Sequence, residues 1–162
     1  MNNIEQNQKN YPAVTYAYDI ALKSYDWTLD RYNAMESRAD KLLGWGIGIS
    51  AGIITFVLQA KNYNTQLFWD FYFICALILF VLAVGISSAT KFFGYIKLIA
   101  PDRLYENYLH KSEWEFKRNI LQNTADYFSG NNKIIIKKGK CLIIALFLFL
   151  AEFVFLVLWS IS

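Results

Sequence analysis

The chain of 162 residues is poor in the residues that build most soluble sites. It has one histidine, His110, and two cysteines, Cys75 and Cys141, with no CxxC pair, so neither a zinc site nor a disulfide framework is expected. It has no GxxxxGK[ST], no HExxH, no GxSxG and no carboxylate pair beside a nucleophile, which leaves no enzyme signature and no cofactor to expect. Proline occurs twice, at Pro12 and Pro101, so long helices can run unbroken between them. Met1 to Asn10 is rich in Asn and Gln, with no apolar run and no small-residue cleavage pattern, so no cleaved signal peptide is expected. The net charge of +3 is too small to point to a partner by itself.

Apolar residues, in contrast, make up 56% of the chain and are gathered in three blocks. The blocks are 42–60, 67–90 and 141–161, and the only acids within them are Asp70 and Glu152. Each approaches the roughly 20 residues that cross ~30 Å of hydrocarbon. Three such blocks in so short a chain leave too little polar sequence to cover them in water. The expected fold is therefore all-α, an integral membrane protein with three transmembrane helices.

Lysine and arginine counts set the expected orientation. Residues 1–41 carry five (Lys9, Lys23, Arg31, Arg38, Lys41), the connection 61–66 carries one, and 91–140 carries ten. This places 1–41 and 91–140 in the cytoplasm, with the N-terminus inside and the C-terminus outside. Trp69 and Trp159 are then expected near the outer interface, where indoles are favoured. The first two spans form a tight helical hairpin.

The segment 1–41 reads as an amphipathic helix that flows into the first span. Tyr18, Leu22, Tyr25, Leu29, Tyr32, Glu36, Ala39 and Leu43 recur at steps of four and three, a heptad-like seam in need of a partner helix. Glu36 is either a register-setting polar residue in that seam or a solvated residue beyond its end. The basic region 91–140 predicts a second helix over Asp102–Phe128, capped by Asp102 and ended by Ser129-Gly130-Asn131-Asn132. One of its faces carries Tyr105, Leu109, Phe116, Ile120 and Tyr127 and is expected to pack on the N-terminal helix. Another carries Arg103, Asn107, His110, Lys111, Trp114 and Arg118. Cations to meet phosphates beside an aromatic to stack a base suit a nucleotide or short single strand, although a solvated face has the same pattern. Lys133, Lys137, Lys138 and Lys140 lead back towards the membrane, where contact with anionic lipid head groups is expected.

Within the spans, Gly44, Gly48 and Gly52 place three glycines on one face and allow close approach of another helix, in the same chain or another copy. Gly85 and Ala89 offer a similar face on the second span. Glu152 is an acid in mid-span, costly in hydrocarbon unless neutral, paired or wet. It is either a polar point on a pore or gate, or a protonated acid bonded to a neighbouring helix. Ser50 and Thr55, with Gln59, Ser87 and Ser88, are the other polar points.

The run YDWTLDRYNAMESRADKLLGWGIGISAGIITFVLQ joins a helix bearing Trp, Arg and Ala-Asp-Lys to a glycine-bearing span and a hairpin. In this layout, over residues 16–90, the chain resembles the small membrane effectors of bacterial antiphage systems: the SLATT-type proteins, the Pycsar transmembrane effector and the Hailong membrane effector. The third span departs from the two-span members. The resemblance implies an inner-membrane homo-oligomer, with four-fold symmetry as a guess. It also implies a pore controlled by a nucleotide or oligonucleotide from a neighbouring nucleotidyltransferase. The alternative is a non-conducting, membrane-anchored scaffold or accessory subunit.

Overall fold

The structure is a computed structural model and describes residues 13–61, 70–97 and 111–162. Among the described residues every regular element is helical: α1 (Val14–Ala60), α2 (Phe71–Phe92) and α3 (Glu113–Ile161). All three are long and apolar enough to cross a membrane. Trp69, Arg103, His110 and the expected Asp102 cap lie outside the described residues.

α1 is one unbroken helix of 47 residues, as the absence of Gly and Pro before Gly44 predicts. α3 departs from the expectation at both ends. It starts at Glu113, where Ser112 and Glu115 form a capping box: Glu115 N donates to Ser112 Oγ and Ser112 N donates to Glu115 Oε2, both at 3.3 Å. Its first turn holds Glu113 and Glu115, which suit the positive end of the helix dipole. Lys111 therefore precedes the helix rather than sharing a face of it with Trp114. At the other end, Ser129-Gly130-Asn131-Asn132 does not stop the helix, which runs on to Ile161 for a total length of 49 residues. A mid-helix glycine costs only about 1 kcal/mol, and once nucleated a helix gains one bond for each residue added. Asn131 is not spent on a cap. Buried at 2% exposure, it grips Lys97 at two points, its Oδ1 accepting from the backbone N–H at 2.8 Å and its Nδ2 donating to the carbonyl at 3.1 Å.

The chain divides into two compact units, Met1–Asn33 with Tyr95–Ile135, and Ala34–Gly94 with Ile136–Ser162. In the first, α1 contributes Ala21, Thr28 and Tyr32 to the interior and α3 contributes Trp114, Ile120, Thr124, Asn131 and Ile135. Tyr18 and Phe116 meet with ring centroids 6.3 Å apart, and Lys117 Nζ donates to Thr15 Oγ1 at 3.2 Å. Phe116 thus meets the N-terminal helix as expected, and Ile120 is buried. The α1 seam is turned from the expected one: Ala21 and Thr28 are buried while Leu22 is 40% exposed. Of the expected positions, Tyr32 and Ala39 are buried, Tyr18 meets Phe116, and Glu36 meets Lys138. Closely packed helices prefer small residues at their contact, and a search for bulky apolar positions passes over them.

In the second unit the three helices enclose a core of Val57, Phe73, Ala76, Leu156 and Trp159. Trp159 is fully buried with its ring 4.8 Å from Phe73, so it packs the interior of the unit. Asp70 caps α2 by accepting from Tyr72 N at 2.8 Å. Lys91, at the other end of α2, pairs with Asp40, which sets α1 and α2 as an antiparallel hairpin. Buried positions along α3 follow steps of three and four from Leu142 through Ala145, Phe149, Glu152 and Leu156 to Trp159, the knob positions of a heptad seam.

Candidate functional site

The polar and glycine positions of the second unit sort into an inner and an outer set. Gly46 is the inner glycine: a Cβ there would collide with the edge of the Phe149 ring, so α1 and α3 approach only because the side chain is missing. Gly44, Gly48 and Gly52 meet nothing within 4 Å. Their face is open in the single chain, and Gly44 and Gly48, with Lys41, Trp45 and Ile49, border a shallow depression along the start of the first span. Trp45 is 71% exposed beside it. Gly85 is likewise open, and α2 packs instead through Ala76, Ala83, Ser87 and Thr90.

Ser50 and Glu152 come together inside the unit. Ser50 is 2% exposed and Glu152 1%. Ser50 Oγ donates to the Gly46 carbonyl at 2.7 Å, and Ser50 and Glu152 line the same cavity. Glu152 Oε2 has no partner among the described residues, and neither has Ser87 Oγ. A half-open cavity of about 160 Å³ lies beside them, lined by Ser50, Glu152 and apolar side chains such as Ile54, Phe80 and Leu156. Thr55 is elsewhere. It is exposed, and its hydroxyl bonds back to the Ala51 carbonyl at 2.8 Å. Of the three pore or gate candidates, the fold unites two and turns the third outward.

Glu36 is half-exposed and paired. Its Oε1 accepts from Lys138 Nζ at 3.0 Å, and the Lys138 side chain is 1% exposed. Lys138 therefore faces the interior instead of lipid head groups, while Lys133, Lys137 and Lys140 remain exposed.

In the first unit, the expected basic and aromatic stripe is only partly assembled. Trp114 is buried at 6% exposure, and the Arg118 guanidinium lies 5.4 Å from its ring centre. The indole therefore serves the core, and the face expected to stack a base is covered. Lys111 and Arg118 are exposed. Lys117 is tied to Glu113 at 2.6 Å, and its ammonium holds the Glu113 carboxyl below the ordinary carboxylate range by hydrogen bond and charge. One site went unread in the sequence. Trp27 is 53% exposed, and the Arg31 guanidinium sits 4.6 Å from its ring. The signal was the i, i+4 spacing of Trp and Arg in WTLDR.

No protein-family model, curated protein or solved structure matches the chain.

Proposed function

We propose that the chain is a multi-pass effector of the bacterial inner membrane that assembles into an oligomeric pore under the control of a cytoplasmic nucleotide or short oligonucleotide. Its opening would depolarise the cell in antiphage defence and arrest its growth. The observation that carries this reading is the division of labour among glycines. Gly46 serves the chain's own packing, whereas the Gly44/Gly48/Gly52 face stays open to a helix of another subunit. The lysine and arginine distribution puts 1–41 and 91–140 on the cytoplasmic side. There the exposed cations Lys111 and Arg118, with Arg31 on Trp27, offer contacts for phosphates and a base.

In this reading, with Ser50 and Glu152 buried inside the second unit, the arrangement would be the closed state of such a pore. A ligand changes the state only by binding one form better than the other. The second reading, a non-conducting scaffold, is favoured by the same sealing of Glu152.

The test is inducible expression in bacteria with a membrane-potential dye, alone and with a nucleotidyltransferase supplied. A pore loses potential in the wild type, keeps it in Gly48→Leu, and shifts its ligand response in Lys111→Ala/Arg118→Ala. Unchanged potential in every variant and condition selects the scaffold.

A further inference from the structure

A second groove in the same unit has a different character. It encloses about 340 Å³ between α1 and α3, and its walls include Leu42, Leu142 and Leu146, with Arg38 as its charged member. Arg38 stands four residues before Leu42, where the apolar block of α1 begins. At ~1.5 Å per residue that is one helical turn, about 6 Å. From Gly139 to Leu146 the α3 wall continues for about 10 Å into its own apolar block. The groove therefore crosses the level at which both helices pass from polar to apolar sequence, with its cation at the polar end.

The charge around that end is complementary to an anion. Asp40 is paired with Lys91 and Glu36 with Lys138, so both nearby α1 acids already face a lysine. Among the described residues no carboxylate pairs with Arg38. Lys137 and Lys140 are exposed on either side of Gly139. The room itself is kept by Gly139, where an added Cβ would meet nothing within 4 Å.

We propose that this groove binds one anionic phospholipid, with its phosphate on Arg38 and an acyl chain laid along Leu42, Leu142 and Leu146. The proposal rests on the three helices spanning a bilayer and is independent of conduction. A guanidinium matches a phosphate diester through two parallel N–H donors, and the apolar wall below accepts the upper part of the chain. A soluble phosphate would leave that wall unused, and a zwitterionic lipid would set its own cation against Arg38.

The test is native mass spectrometry of the full chain in detergent, titrated with phosphatidylglycerol or with phosphatidylcholine of the same acyl chains. Wild type is expected to hold one phosphatidylglycerol per subunit in preference to phosphatidylcholine. Arg38→Gln should weaken phosphatidylglycerol about fivefold, one basic contact at an anionic surface being worth ~1 kcal/mol, and leave phosphatidylcholine unchanged. Gly139→Leu should abolish the bound lipid by filling the groove, with helical content and subunit number unaltered. Lys133→Gln, an exposed cation outside the groove, should change nothing. Equal binding of the two lipids, or no effect of Arg38→Gln, overturns the proposal. So does displacement of the lipid by inorganic phosphate alone. A change of subunit number in Gly139→Leu without loss of lipid also overturns it and assigns the groove to a second copy. Should Gly139→Leu fail to fold, Arg38→Gln decides by itself.

Discussion

Replacing Gly46 and Gly48 by alanine separates the glycine that packs the chain from the glycine that is open. At Gly46 the new methyl group collides with the Phe149 ring. That ring is 1% exposed and is flanked by Phe80 and Phe153, at centroid distances of 6.3 and 6.4 Å. It cannot swing aside without moving its neighbours, so the overpacking cost is about 1–3 kcal/mol. Alanine returns up to ~1 kcal/mol of helix propensity at either site. The expected net is a loss of up to ~2 kcal/mol for Gly46→Ala, and a gain of up to ~1 kcal/mol for Gly48→Ala in the monomer. The assay is reversible unfolding in mixed micelles, followed by ellipticity against the mole fraction of denaturing detergent, at protein concentrations that keep the chain monomeric. Gly46→Ala/Phe149→Leu should recover much of the loss, because the smaller side chain vacates the position of the new methyl. Equal stability of Gly46→Ala and Gly48→Ala, or no recovery in the double variant, would refute the assignment of Gly46 as the contact glycine.

Trp114→Ala should cost the first unit about 3–5 kcal/mol, as truncation of a buried aromatic does, measured by thermal loss of ellipticity; an unchanged midpoint would return Trp114 to a ligand-facing role. Asn131→Ala removes both bonds to the Lys97 backbone and should speed amide exchange at Lys97, at a cost of about 1–3 kcal/mol; unaltered exchange would count against the clamp. The Glu113 carboxyl is held below its ordinary value of 4.5 by Lys117, so its contribution to the first turn of α3 is present above that value and lost as pH falls below it. Amide exchange in that turn, corrected for intrinsic rates, should show reduced protection on acidification in wild type, and Lys117→Met should remove the part due to the pair. A wild-type profile identical to that of Lys117→Met would dispose of this pairing.

Bulk solvent preference was legible without any fold. Three long apolar blocks impose helices, because a helix satisfies its own backbone within one segment, and among the described residues three helices are apolar enough to cross a membrane. The continuity of α1 was equally plain, since nothing between Val14 and Gly44 interrupts it. The start of α3 was legible but overlooked: Ser112-Glu113-Trp114-Glu115 carries the Ser-x-x-Glu signature of a capping box. Among the site residues, the proximity of Ser50 to Glu152 was not readable, since no spacing within either helix encodes a meeting across two.

What only the tertiary structure decided is which face of each helix turns inward. Hydropathy ranks side chains by size and polarity, but helices in close contact select small ones. Ala21, Thr28, Ala39, Gly46 and Ser50 therefore hold the seam, while Leu22 lies outside it. The same principle divides the four glycines of the first span, which look alike in sequence. Gly46 is spent on Phe149, and Gly44, Gly48 and Gly52 are left open. It likewise decided that Lys138 belongs to Glu36 and not to the lysine cluster around it, and that Trp114 belongs to the core. Composition determined that the described residues hold three helices apolar enough to cross a membrane; the packing of one helix on another determined which of their residues remain available to a partner.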